Sequence, residues 1–404
     1  MDFNHKNIKV DFPYFNTKKN SDIIYFDNAA TTHKPNMVIN AISDFYKNSN
    51  SNIHRSNHNL SFSTTEKYES CRNTIRDFIG ANKSSEIIFT SGATESINLV
   101  SQSYGDKFIK ANDVILVSNI EHHSNTIPWQ ILANKHKAII QEIPINTELL
   151  IDETKFEKLL SDKVKLIALH HISNVSGIKQ NIGRLISLAK KFEIPVLIDG
   201  AQAPAHIDIN VSELDCDFYC FSGHKLFGPT GTGVLFINSR YLEKLPPYKT
   251  GGQMVEFIET QTWSKPPLKF EAGTPNIAGA IGLCEAINFI NKISLKRICS
   301  IENDLMAYML LKLNNVPNII LYGSNKKAAP IFAFNIAGIH HYDISTLLSE
   351  NNILIRSGHL CNQGIMKFLG IDGCLRASLS FYNSIEEVDI FIDRLKWSIS
   401  FLKR

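Results

Sequence analysis

The sequence predicts an α/β fold: a seven-stranded, mainly parallel sheet in a large domain, followed by a smaller α+β C-terminal domain. Three observations carry this. Short apolar, β-branched runs recur seven times between residues 86 and 237. Amphipathic helical stretches lie between several of them, the alternation that builds a parallel sheet covered on both faces. After about residue 290 that alternation gives way to helices and strands in a different order.

The strand runs are "EIIFT" (86–90), "VILVS" (114–118), "AIIQEI" (138–143), "KLIALH" (165–170), "PVLID" (195–199), "DFYCF" (217–221) and "GVLFI" (233–237). Each is short and bounded by polar or glycine-containing turns, as strands are. "TESINLVSQSYG" and "RLISLAKKFE" repeat apolar residues at helical spacing. Only 11 residues (222–232) separate the last two runs, too few for a comfortable helical crossover, so this pair is expected to be antiparallel. "WSKPPLKFEAGTPN" reads as irregular connection before a helix bridging the two parts. Beyond it come helix-like "NDLMAYMLLKLNN", strand "IFAFNI", helix "YDISTLLSENN", strands "ILIRS" and "LRASLSF", and a closing helix opened by "SIEE", a capping-box sequence. The expected boundaries are 23–290 for the large domain and 291–404, with the N-terminal segment 1–22, for the small one.

Composition narrows the function. The 404 residues carry 42 basic and 39 acidic side chains, a net charge of +3 without blocks, which is not a nucleic-acid footprint. No apolar run approaches a membrane span, and "MDFNHKNIKV" lacks the apolar core of a signal peptide, so a cytoplasmic address is expected, with the possibility of a trimmed targeting peptide left open. Seven cysteines form no CxxC pair, and an odd count in a long chain is not a disulfide framework. Cys216 and Cys220 are expected on one strand face as small core residues. Adjacent histidines on a strand point to opposite faces, so the pairs 122/123, 170/171 and 340/341 are not expected to build a metal site.

In an open α/β sheet, ligands bind outside the carboxyl ends of the strands. Three strand ends draw attention. "EIIFT" runs into "SGATES", a small-residue turn opening a helix, whose free N–H groups suit a phosphate and to which Thr94 adds a hydroxyl. "PVLID" ends in Asp199, a carboxylate that needs a cation or strong donor there. "DFYCF" delivers Lys225 into "SGHKLFGPTGTG". An acid, an amine and a phosphate-friendly turn at one sheet edge suit pyridoxal phosphate: the lysine forms the imine, the carboxylate keeps the ring nitrogen protonated and the turn holds the phosphate. The same two side chains would also serve as an ordinary ion pair. Cys361, in "RSGHLCNQG" after a strand, differs from the apolar-flanked Cys284 and Cys299 by lying on a loop near His359 and Arg356; reactive thiols need such access. By itself, an exposed cysteine is more often incidental than catalytic.

"EHHSNTIPWQ", "SNVSG", "DGAQA", "FSGHKLFGPTG", "FEAGTPN", "RSGHLCNQ" and "CRASLSFYNSIEEVD" together resemble the SufS-type cysteine desulfurases, within the class V aminotransferases of pyridoxal phosphate enzymes, in order along the whole chain. The resemblance implies conversion of L-cysteine to L-alanine, with the sulfur passing to Cys361 as a persulfide. It implies that Lys225 carries the cofactor, that Asp199 faces the pyridine nitrogen, that Gln202 lies near the phenolic oxygen and that His122 stacks on the ring. Ala93, Thr94, Ser222 and His224 would hold the phosphate, joined across a homodimer interface by Thr274. Asn174 and Arg376 would face the substrate, and "HRSNH" (54–58) and Glu95 would lie near the site and the dimer contact. A sulfur-acceptor protein of the SufE or SufU kind and iron–sulfur cluster assembly are further implications. The short loop after "RSGH" favours the SufS-like over the IscS-like group. One departure stands out: close relatives commonly read "GHHC" and then a small residue, where this chain has Leu360 and Asn362, which bears on loop contacts and docking. The competing readings are a selenocysteine lyase and a catalytically silent sulfur-relay scaffold.

Overall fold

A computed structural model describes residues 8–323 and 328–403. Residues 1–7, part of the N-terminal segment assigned to the small domain, lie outside the described residues. The strands are β1 (Ile24–Tyr25), β2 (Ile87–Thr90), β3 (Val114–Ser118), β4 (Ile139–Ile143), β5 (Val164–His170), β6 (Val196–Asp199), β7 (Phe218–Ser222), β8 (Gly233–Ile237), β9 (Val255–Phe257), β10 (Thr262–Trp263), β11 (Ile319–Tyr322), β12 (Ile331–Ile336), β13 (Ile353–Leu354), β14 (Arg356–Gly358) and β15 (Cys374–Ser378).

The fold is α/β, as the sequence predicts. Seven strands form one sheet in the order β2-β8-β7-β6-β5-β3-β4. Each expected strand run is present within about a residue of its predicted ends. All neighbours are parallel except at β8, which is antiparallel to both β2 and β7. Both ends of the 223–232 loop are therefore fixed in adjacent strands. Central strands are buried on both faces: every residue of β3, β6, β7 and β8 is buried, which is why they read as continuous apolar runs rather than alternating ones.

A second, antiparallel sheet follows in the order β11-β12-β15-β14, with β1 pairing in parallel with β13 nearby. The closing helix Ile385–Leu402 begins with the expected capping box: Ser384 Oγ accepts from the Glu387 amide, and the Glu387 side chain accepts from the Ser384 amide. The irregular 263–276 connection leads into the helix Ile277–Ile293, which is almost wholly apolar and is followed, after a break at Ser294, by the helix Leu295–Asn314. Phe12, fully buried, makes ring contacts with Phe227, Phe289, Phe381 and Tyr382, so an N-terminal segment knits the Lys225 loop to the end of β15.

Two details differ from expectation. Cys216 and Cys220 are both fully buried, yet Cys216 lies before β7 and packs in the larger core cluster, whereas Cys220 packs on the other sheet face with Phe218 and Leu235. They do not share a face, because the strand begins two residues after Cys216. The histidine pairs are also not strand pairs: His122 caps a short helical turn at His123, His340 caps the helix at His341, and only His170 lies within a strand. Among the described residues no cluster of three or more His, Cys, Asp or Glu is arranged to hold a metal ion, and no helix is long and apolar enough to cross a membrane.

Candidate active site

A cavity of about 380 Å3 opens at the carboxyl edge of the seven-stranded sheet. Its lining includes Ala93, Thr94, His122, Asn174, Asp199, Gln202, Ser222, His224, Lys225, Cys361 and Arg376, so the structure gathers every expected site residue but one around a single space. The exception is Thr274. It is exposed and lines a neighbouring cavity with Glu95, Lys249 and Glu271.

The strand register explains the gathering. His170, Asp199 and Cys220 lie side by side across β5, β6 and β7, and Thr90, Gly233 and Ser222 across β2, β8 and β7. Side chains at or just beyond these rows share one edge. Gly92, with φ 155° and ψ 175°, adopts a conformation reserved for glycine as it opens the helix Ala93–Phe108. A Cβ added at Gly233 would stand 2.4 Å from the Gly92 Cα, so the turn packs backbone on backbone. The Ala93 amide donates to Ser222 Oγ at 2.8 Å, and Thr94 Oγ1 meets Ser124 Oγ at 2.7 Å. Hydroxyls and free amides at a helix start make an anion cradle.

Lys225 stands at the cavity wall, partly exposed as a residue but with its amine taken out of solvent. Burial pulls its pKa down to about 8, with Asp199 opposing and Arg376 and Arg356 reinforcing the drop. Asp199 is shifted the other way: burial raises its pKa, while the Ala201 amide, 2.9 Å from Oδ1, and Lys225 counteract it. A buried amine near neutrality beside a buried carboxylate is an arrangement typical of reactive sites. Burial also takes His122 down to about 4. Its Nδ1 accepts from the Ser124 amide at 3.1 Å, so the neutral ring carries its proton on Nε2. Gln202 donates to the Ala29 carbonyl at 2.7 Å.

Arg376 lies on β15 directly opposite Arg356 on β14. Two like charges facing across a strand pair repel, and Asp27 answers both: Oδ1 accepts from Arg376 Nη2 at 2.8 Å and Oδ2 from Arg356 Nε at 3.2 Å. Arg376 Nη1 donates to the Asn174 carbonyl at 3.0 Å, while its Nε is buried without a partner among the described residues. Burial lowers the Arg376 pKa, which means that its charge is costly there and calls for an anion. Arg376 lines the cavity, and a planar guanidinium there fits a carboxylate.

Cys361 is the only one of the seven cysteines that is exposed. Leu360 and Cys361 have φ of 55° and 54°, and the Asn362 amide closes on the His359 carbonyl at 2.9 Å, the signature of a type I′ turn built without glycine. The departures from the family pattern have definite jobs. Leu360 is 6% exposed and walls the cavity, while Asn362 is fully buried and caps the helix Gln363–Leu369. His359 Nδ1 accepts from the Cys361 amide at 3.2 Å, so it contacts the cysteine's backbone. Asn174 spends its side-chain amide on the Leu360 carbonyl at 2.9 Å.

Sequence reasoning missed the segment 27–34. Asp27, Thr31 and Lys34 stand in a stretch without an apolar run to announce it, yet the His224 carbonyl, next to Lys225, accepts from the Thr32 amide, both threonine hydroxyls and Lys34. Ser124 and Arg356 also line the cavity. A second network lies behind it: Glu121 accepts from Ser118 at 2.6 Å and Asn125 at 2.7 Å and pairs with His170 Nδ1 at 2.6 Å, while the Trp129 indole donates to Asn125 at 3.0 Å. The motif "EHHSN" was the only signal for it.

The aminotransferase class-V family profile matches residues 24–391. A probable cysteine desulfurase of Mycolicibacterium paratuberculosis is 40% identical over 390 residues, 95% of this chain but 57% of that longer protein. A cysteine desulfurase of Escherichia coli O7:K1 is 39% identical over 400 residues, 98% of both chains. The apo structure of a cysteine desulfurase from Thermococcus onnurineus NA1 superimposes with a TM-score of 0.93 at 38% identity, covering 98% of each chain.

Proposed function

The chain belongs to the aminotransferase class-V family, among the cysteine desulfurases, and on that premise we propose that it is a pyridoxal-phosphate-dependent cysteine desulfurase of the SufS type. The observation that carries this is the meeting of one exposed thiol, Cys361, with Lys225, Asp199 and Arg376 around one cavity.

The residues fit the cofactor: an amine, a carboxylate and a glycine-opened anion cradle stand at one edge, and the cradle's close backbone packing leaves no room for a Cβ at Gly233. Lys225 would carry the group covalently and Asp199 would face its ring nitrogen. Ala93, Thr94, Ser222 and His224 would hold the phosphate, and His122 and Gln202 would flank the ring. Bound pyridoxal phosphate supplies an electron sink for the charge left on the substrate's α-carbon.

The chain supplies the rest. Arg376, beside Asn174, would clamp the carboxylate of L-cysteine. Lys225, brought near neutrality by burial, would take the α-proton and hand it back to the α-carbon once the sulfur has left. Cys361 as thiolate attacks the substrate sulfur: a sulfur–sulfur bond forms, the carbon–sulfur bond breaks with its electron pair on the β-carbon, and a proton there completes alanine's methyl group. The substrate's own thiol proton balances that gain. Leu360 excludes water from one wall. The terminal sulfur stays on Cys361 until an acceptor thiol removes it.

The proposal extends to a homodimer, in which Thr274 of the partner subunit would complete the phosphate site. Exposed Met37 and Ile39 on the helix Asn36–Asp44, Tyr46 on the π-helical turn that continues it, and Leu60 and Phe62 on the helix Asn59–Phe78 support a covered face. It extends also to an acceptor protein of the SufE or SufU kind feeding iron–sulfur cluster assembly in the cytoplasm. Incubation with L-cysteine should yield alanine and add one sulfur to the peptide carrying residue 361. Cys361→Ser should lose sulfur transfer and keep the visible cofactor absorbance. Sulfide release at the wild-type rate by that variant defeats the assignment, and faster turnover of selenocysteine than cysteine would favour the lyase.

A further inference from the structure

The turn that presents Cys361 is unfavourable on its own. Two consecutive left-handed residues that are not glycine are each strained by the Cβ against the backbone, and neither Leu360 nor Cys361 has a short polar side chain to offset it locally. Something outside the turn must hold it, and the contacts show what does. Four consecutive residues, 361–364, meet the segment 119–123 that carries His122. The Cys361 carbonyl accepts from the His123 amide at 2.9 Å. Asn362 Nδ2 donates to the Ile120 carbonyl at 2.8 Å. The Gln363 amide approaches His123 Nε2 at 3.4 Å. At Gly364 an added Cβ would stand 1.9 Å from the Asn119 carbonyl oxygen, so the helix beginning at Gln363 is seated backbone against backbone.

Asn362 is the centre of this seam. It is fully buried and its carboxamide is used at both ends: Oδ1 caps the helix by accepting from the Ile365 amide at 3.1 Å, and Nδ2 reaches Ile120. Nδ2 also stands 3.5 Å from Asn174 Oδ1. A buried amide committed to two separate backbone partners specifies one arrangement, because losing either partner leaves a desolvated polar group.

We propose that Asn362 is the positioning residue of the nucleophile: its carboxamide locks the left-handed Leu360–Cys361 turn onto the segment bearing His122, so that thiol and imidazole are held as one rigid unit. This rests on the reading of Cys361 as the sulfur-accepting thiol. Asn362 itself touches no reacting atom. Its spacing also ties helix stability to thiol placement, since the same side chain caps the helix and sets the turn.

Asn362→Ser separates the two duties, because serine is a good helix cap but is too short to reach Ile120. Two readouts on the cofactor-loaded full chain test the idea. Steady-state turnover of L-cysteine should show kcat reduced at least tenfold with KM within twofold of wild type. Alkylation of Cys361 by iodoacetamide, followed by mass on its peptide at fixed pH, should accelerate severalfold as the turn loosens. Gly364→Ala, which pries the same seam apart from its other side, should accelerate alkylation likewise. Unchanged kcat and unchanged alkylation in Asn362→Ser overturn the proposal. So does a lowered melting temperature with both readouts at wild-type values, which marks a purely structural cap. If wild-type protein forms no alanine yet alkylation still accelerates in both variants, the desulfurase reading fails and the positioning role survives.

Discussion

Lys225 shows how burial sets a residue's chemistry. Its pKa of about 8 lies below lysine's ordinary value of 10.5. The sign follows: between these values the unfolded chain holds a proton that the folded chain has released, so folding is favoured as pH rises through that window and disfavoured below it. The same shift makes the free amine available for carbonyl chemistry at neutral pH. Cofactor-free protein mixed with pyridoxal phosphate should gain visible absorbance faster as pH rises toward about 8 and then level off, whereas an exposed lysine would keep accelerating toward roughly pH 10. A stopped-flow pH series distinguishes the two profiles. His122 is the complement: neutral throughout this range and fixed by the Ser124 amide as a donor, it changes nothing in the series.

Elements differ in how much of themselves they show in sequence. The seven runs of the large sheet were legible because strands buried on both faces are unbroken apolar stretches. Even the reversal at β8 was legible from an eleven-residue gap. The closing helix announced itself through Ser384 and Glu387. Ser384→Ala should remove one half of that box and cost about 1 kcal/mol of stability, read as a small loss in urea midpoint with the slope unchanged. Asp27, Thr31, Thr32 and Lys34 were not legible. Their contribution is to carbonyl and guanidinium groups far along the chain, and no local pattern encodes a partner some 200 or 350 positions away. The faces of Cys216 and Cys220 were misread for a related reason: spacing gives a face only where the strand already exists, and β7 starts at Phe218.

At the scale of the molecule, the cavity exists only because two sheets meet. Lys225, Asp199 and the anion cradle come from the large sheet, Arg376 and Cys361 from the strands and loop of the small one, where Asp27 pairs with Arg356 and Arg376 together. Asp27→Asn should leave the buried Arg376 guanidinium short of its counter-charge, costing about 2–3 kcal/mol of stability and raising KM for cysteine more than it lowers kcat. Urea unfolding and steady-state kinetics read both effects. Stability loss without a change in KM would confine Asp27 to architecture. The hydrogen bond from Trp129 to Asn125 has a consequence of another kind. Of the three tryptophans, Trp129 alone is fully buried, whereas Trp397 is 44% exposed. An indole sealed in a core emits at shorter wavelengths than one in water, so the blue edge of the protein's ultraviolet fluorescence belongs to the network behind His122. The chain thereby carries a built-in optical gauge of the ground beneath its own chemistry, readable without any label.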